Sequence, residues 1–370
     1  MMKLHVRSSL LPVLGMVLCL ALTARAQQAP ALAVTINVDA ARDTLAALQN
    51  DSLTHDEALR IANLQGNQGI LRKLHEFKIT STTDDFANAL YKLARHEAVT
   101  KPEETSVLLG LVQPNVEKLK QLLAQMQANP ENFQNAIKQR IAQFSLPDSK
   151  LSLQGYVVAG GDGGGYAFGS TDFYLNIGII DDLVLARSVT THEMYHAVQG
   201  AYANDREVKF AGPETSRTVA CKQVEQLFAN LYEEGSAVVV ADPALIPQSH
   251  SAAAARMLAD TDDGMKHLGT SATLLEMSVI SLEAEKPMAY DDVYGVGFLG
   301  HGVLYNIGYA MAQSIVDIDG PAGLAKYLKE PPYRFVLRYT ELPLYGKDRG
   351  HPALGEHTLA AAHRLAMGCR

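Results

Sequence analysis

One pentapeptide limits the folds open to this chain more than any other stretch: His192-Glu193-Met194-Tyr195-His196. It lies in an apolar run that reads as helix, with Leu183, Val184, Ala186, Val189 and Thr190 leading in, Asp181 and Asp182 as N-cap candidates and Gly200 as a stop. Histidines four apart on a helix stand on one face, so both imidazoles can reach a single metal ion, most naturally zinc. Glu193 then lies where a carboxylate can take a proton from a metal-activated water. The pentapeptide is the core of a metal-dependent hydrolytic site.

A catalytic zinc takes three protein ligands and leaves one position open. The metzincin continuation is missing, since position 199 is Gln and position 202 is Tyr. A carboxylate on a following helix is the expected third ligand. A helical pattern through Val219, Val224, Leu227, Phe228 and Leu231 arrives at Tyr232-Glu233-Glu234-Gly235-Ser236-Ala237, where Glu234 offers that carboxylate.

The HExxH pentapeptide followed 38 residues later by the glutamate of Glu-Gly-Ser-Ala resembles the gluzincin type of metallopeptidase. In particular it is similar to the uncharacterised zinc-dependent peptidases among bacterial exported proteins, over roughly residues 155–340. The resemblance implies a zincin-like catalytic domain, Zn2+ held by His192, His196 and Glu234, Glu193 as general base, and a peptide or protein substrate. Glu233 is a rival third ligand, because neighbouring helical positions point about 100° apart and only one can face the metal. Tyr294, opening a late Tyr-x-x-Gly helix as in the similar peptidases, is the candidate donor to the oxyanion, with His301 and Tyr305 as alternatives. Gluzincins often carry an aspartate one turn after the third ligand to orient the first histidine. Here those positions hold Ala237 and Val238, so a partner is expected from Asp242 or a backbone carbonyl.

The N-terminus bears on compartment. Lys3 and Arg7 precede an apolar run at 10–22 that is too short to span a bilayer, and Ala24-Arg25-Ala26 fits a cleavage site. Residues 1–26 are therefore expected to be a signal peptide, and the protein exported, periplasmic or secreted, from a bacterium. Losing Lys3, Arg7 and Arg25 takes the formal charge from −8 to −11, an unsuitable balance for nucleic acid or an anionic membrane surface. Cys221 and Cys369 could pair in an oxidising compartment.

The expected fold is α+β and predominantly helical. A helical region at 27–146 precedes the zincin-like domain at 147–345 and a tail at 346–370. In the first region, helices are expected around Leu45, Leu59, Ile70 and Leu90, with Asn67 capping the third and Thr83 or Asp84 opening the fourth. A fifth helix is expected from Pro102, continuing through Val116 to the Asn129-Pro130 break, and a sixth from Pro130 to Phe144. In the second, strands are expected near 151–158 and 173–179, separated by Gly160-Gly161-Asp162-Gly163-Gly164-Gly165. That glycine run lacks the Lys-Ser/Thr of a phosphate loop, which leaves a flexible hairpin turn, or an exposed sheet edge at 173–179 to which extended peptide could add. Helices at 244–260 and 271–285, an apolar helix from Tyr294 to Val316 too polar to cross a membrane, and a short helix at 321–328 capped by Asp319 complete the expectation. Peptide-bond hydrolysis is the reading these features favour. A non-catalytic zinc-binding or degenerate peptidase scaffold that binds extended polypeptide is the alternative.

Overall fold

The structure is a computed structural model, and it describes residues 30–369 apart from Ser170, residues 211–213 and His301. The expected signal peptide at 1–26 and the alternative oxyanion donor His301 lie outside the described residues. The chain is predominantly helical, with one four-stranded sheet: β1 (Ala31–Asn37), β2 (Lys150–Val158), β3 (Gly165–Ala167) and β4 (Asp172–Asn176), in the order β1-β2-β4-β3. β1, β2 and β4 run parallel, and β3 pairs antiparallel with β4. β1 was not anticipated; its partner on β2 lies more than a hundred residues away in sequence, and only the folded chain supplies that neighbour.

The register explains the tyrosines of this sheet. Tyr156 pairs with Tyr174 across β2 and β4, and Tyr166 pairs with Tyr174 across β3 and β4. Opposed residues put their side chains on one face, so the three rings stack in a column with centroids 5.3 and 5.1 Å apart.

Both expectations for the glycine run are corrected. The segment at 173–179 is no edge strand, because β4 lies between β2 and β3; the edge on that side is β3, built from the end of the glycine run itself, and β1 is the other edge. Nor is the run a simple hairpin turn between the two strands, which are parallel. The buried Asn176 amide clamps it: its oxygen accepts from the Gly160 and Gly178 amides at 3.1 and 3.0 Å, and its nitrogen donates to the Gly161 and Gly163 carbonyls at 3.0 and 3.1 Å. Gly160, Gly161 and Gly163 all have positive φ (137°, 74° and 83°), a backbone that residues with a Cβ avoid, so the loop requires glycine to wrap that amide.

Five of the six helices expected here form, at Asp39–Ala47, His55–Ala62, Gln65–Glu76, Thr83–Ala94 and Pro130–Gln143, while the fifth is broken: Pro102–Thr105 and Leu109–Val112 are single turns, and the continuous helix is Val116–Ala128. Thr82 caps the fourth through a reciprocal box with Asp85. Asn67 is not a cap. It is buried inside the third helix and donates to the Ile61 carbonyl at 2.8 Å, because the helix starts two residues earlier.

Three helices dominate the C-terminal half: a motif helix (Leu183–Ala201), a glutamate helix (Ser216–Val240) and a crossing helix (Val303–Ala325), the last broken at the non-helical Gly320 (φ 72°), after which the short helix expected from Pro321 begins. Asp182 caps the motif helix by accepting from the Val184 and Leu185 amides at 2.9 and 3.0 Å, while Asp181 turns to Lys118 and Ser251. The motif helix packs on β3 and β4 on one side and on the glutamate helix on another, so its apolar residues are buried around most of its circumference. Where one helix was expected from Tyr294 to Val316, the chain forms Tyr290–Gly297 and then the crossing helix, with Gly302 at φ 56° between them. The expectations at 244–260 and 271–285 become a 3-10 turn at Pro243–Gln248 and helices at Ala252–Lys266 and Leu268–Glu283. Asp319 caps nothing; it receives the Arg338 guanidinium through two 2.8 Å hydrogen bonds. No helix among the described residues is long and apolar enough to cross a membrane. Cys221 on the glutamate helix and Cys369 are joined as a disulfide, with Cα atoms 6.4 Å apart.

Candidate metal centre

The motif helix brings the His192 and His196 Nε2 atoms within 3.0 Å of each other, as the four-residue spacing requires. The glutamate helix, packed alongside, delivers Glu234 Oε2 to 3.5 Å from the first nitrogen and 3.3 Å from the second. All three side chains are less than one-fifth exposed. Among the described residues this is the group of three or more histidine, cysteine or acidic side chains that converges tightly enough to hold a metal ion.

The adjacent glutamate goes elsewhere. Glu233 points the other way round the helix and pairs with Arg206, whose guanidinium is almost wholly buried. Arg206 also donates to the Gln199 carbonyl at 2.8 Å. The choice between the two carboxylates therefore follows from helix phase, with a cation waiting on the side away from the histidines.

Gln199, one turn after His196, is a site residue that sequence reasoning noted only as the absence of a metzincin ligand. Its Oε1 lies 2.7 Å from His196 Nδ1, and its amide nitrogen donates to the Glu233 carbonyl at 2.9 Å and to Ser236 Oγ at 2.8 Å. An amide oxygen accepting from Nδ1 fixes the tautomer that leaves Nε2 free to face the metal position. The signal was present in the sequence, since residues 192, 196 and 199 share one helical face. The partner expected from Asp242 does not form. Asp242 lies 3.9 Å from the Arg140 guanidinium instead.

Two close backbone approaches set the geometry. At Gly235 a Cβ would lie 2.2 Å from the Gly308 carbonyl carbon, and at Gly308 a Cβ would lie 2.5 Å from the Leu231 carbonyl oxygen. The glutamate and crossing helices thus touch backbone to backbone where the Glu-Gly-x-Ala segment passes, and Tyr305, one turn before Gly308, is carried against Glu234. On the opposite side a Cβ at Gly165 would lie 2.7 Å from Glu193 Cγ, so edge strand β3 borders the carboxylate beside the histidines.

The electrostatics are those of a strongly coupled cluster. Burial by itself would lower the His196 pKa, but the Glu234 carboxylate outweighs it and raises the value to about 10. Burial by itself would raise Glu234, yet the facing imidazoles hold it well below the usual carboxylate range. Tyr294 and Tyr305 both line the cleft with His192, Glu193, His196 and Glu234. Burial raises both phenols, and Glu234 and Glu193 reinforce the shift, so both stay protonated donors at neutral pH. Glu234 is the charged neighbour that acts most strongly on both phenols.

The donor set fits zinc on structural grounds. Ligands about 2.0 Å from a tetrahedral centre stand about 3.3 Å apart, and the three atoms here are separated by 3.0 to 3.5 Å. Glu234 Oε2 is buried without an aligned hydrogen bond, the condition of an atom whose partner is an ion. The family described as "Putative zinc dependent peptidase (DUF5700)" matches residues 60–344, more than half of the chain. No curated protein and no solved structure matches it.

Proposed function

The chain belongs to this family of zinc-dependent peptidases, and from that premise we propose that it hydrolyses peptide bonds as a gluzincin-type enzyme with a zincin-like catalytic domain. The ligands are His192, His196 and Glu234, and the general base is Glu193. The observation that carries the reading is the convergence of Glu234 on both imidazoles, with Glu193 beside them at the edge of an open cleft. When bound, zinc supplies Lewis acidity that activates water near neutral pH and polarises a carbonyl. Glu193 takes the proton of the attacking water and passes it to the leaving amine. Tyr294 donates to the developing oxyanion, and Tyr305 stands by as a second donor. Edge strand β3 offers unpaired backbone groups to an extended substrate, the role first sought at 173–179.

Export to an oxidising compartment belongs to the same proposal. The basic start and short apolar run of residues 1–26 support it, as does the Cys221–Cys369 disulfide.

The test is elemental analysis and cleavage of unfolded casein by the wild type, Glu234→Ala, Glu233→Ala and Glu193→Gln. One zinc per chain in the wild type, lost in Glu234→Ala and retained in an inactive Glu193→Gln, is the expected pattern. Zinc without cleavage in any form would favour the non-catalytic scaffold, and no zinc uptake would exclude both.

A further inference from the structure

Beside the catalytic cleft lies a second cavity of about 310 Å3. Four elements wall it with apolar side chains: Val189 from the motif helix, Val238 from the glutamate helix, Ile246 from the 3-10 turn, and Met257 and Leu258 from the helix Ala252–Lys266. His192, Glu193 and Tyr305 border both this cavity and the cleft, so the two spaces adjoin at the reacting groups.

Away from that shared border, the two hydroxyls in the wall are already satisfied. Ser188 donates to the Ala241 carbonyl at 2.9 Å, and Thr261 donates to the Met257 carbonyl at 2.8 Å. A polar side chain entering beyond that border would leave its water partners and find none free in the apolar walls, which is the arrangement that selects against polarity. An apolar cavity of about 150 Å3 is known to take a benzene ring, and this one is about twice that, so a leucine, phenylalanine or tryptophan side chain fits.

We propose that this cavity is the specificity pocket, holding a large aliphatic or aromatic side chain of the residue next to the scissile bond. The substrates are then polypeptides cut beside bulky apolar residues. The inference rests on the peptidase reading above and deepens it.

Two measurements test it. In the first, the zinc-loaded full chain digests unfolded casein and the cut sites are mapped by mass spectrometry. Leu, Ile, Phe, Met or Trp should be enriched at one position flanking the cut, with kcat/KM falling about tenfold or more when Ala replaces it. Met257→Lys, which places an ammonium at the exposed mouth, should lower that preference and favour Glu at the same position with zinc content unchanged. Met277→Lys, on an exposed position of another helix, should change neither. In the second, acetyl-tryptophan-amide is titrated with metal-free protein. The chain contains no Trp, so indole fluorescence reports the probe alone, and its emission should shift to the blue with the wild type and Met277→Lys but much less with Met257→Lys.

Cleavage without apolar enrichment overturns the pocket assignment while leaving the peptidase reading intact. A blue shift sensitive to Met257→Lys with no cleavage by any form keeps the apolar pocket and removes the peptidase reading. Neither shift nor cleavage overturns both.

Discussion

The crossing of the glutamate and crossing helices at Gly235 and Gly308 makes Gly308→Ala the most informative single change. The added Cβ would stand 2.5 Å from the Leu231 carbonyl oxygen and 3.3 Å from Gly235 Cα, both of them backbone atoms that cannot rotate aside. A carbon and a carbonyl oxygen rest at about 3.3 Å or more, so the helices must part by roughly 0.8 Å. Overpacking of this kind costs about 1–3 kcal/mol. Replacing a mid-helix glycine by alanine returns up to about 1 kcal/mol of propensity, so the net loss of stability is about 0–2 kcal/mol and the protein remains folded. The site is hit harder, because the displaced helix carries Tyr305 and the other carries Glu234. A misplacement near 1 Å costs on the order of a hundredfold in rate. The assay is zinc affinity by competition with a chelator, casein cleavage and urea unfolding, with Gly269→Ala as the control. Gly269 is also helical, but nothing lies within 4 Å of its would-be Cβ, so alanine there should stabilise slightly and leave the site alone. If Gly308→Ala gains stability and keeps full zinc affinity and cleavage, as Gly269→Ala should, the close crossing does not set the geometry of the site.

Three further outcomes are expected. Gln199→Leu removes the acceptor at His196 Nδ1 and should weaken zinc binding about 10- to 100-fold, measured by chelator competition, with a chain still folded by circular dichroism. Glu233→Ala should keep one zinc per chain yet lose about 2–3 kcal/mol in urea unfolding, because the buried Arg206 is left without its carboxylate. Glu276 caps the C-terminal helix Glu356–Ala366 from a neighbouring helix, accepting from the His357 and Thr358 amides and the Thr358 hydroxyl. Burial opposes ionisation there, but these donors prevail and hold its pKa below the ordinary 4.5. A lowered carboxylate pKa gives stability that is present above about pH 4.5 and lost as pH falls through the folded value. Amide exchange across 356–366 should therefore accelerate selectively in acid, and Glu276→Gln should bring the same fraying to neutral pH.

The sequence by itself carried everything that depends on local repetition. The four-residue spacing of His192 and His196 puts two imidazoles on one helical face whatever surrounds them. The apolar periodicity of the first four helices and of Pro130–Gln143, and the cap at Asp182, act within a few residues of chain. The pairing of Cys221 with Cys369 was open to a sequence reading, since two cysteines remain after residue 26, but their approach to 6.4 Å is a tertiary fact. The Glu-Gly-Ser-Ala resemblance favoured Glu234 over Glu233, and the tertiary structure supplied the physical reason, since Arg206 takes Glu233 and leaves Glu234 to face the histidines. It also decided which strand is the edge. β1 and β3 each find their place through hydrogen bonds to strands whose neighbours no short window of sequence specifies. The contacts of Gln199, Gly165 and Gly308 emerged the same way, since a side chain that holds an imidazole and a glycine that admits a neighbour are defined by what packs against them. Local propensity sets helices and faces through interactions between near neighbours in sequence. The choice of partner is settled by burial, and burial is a property of the whole fold.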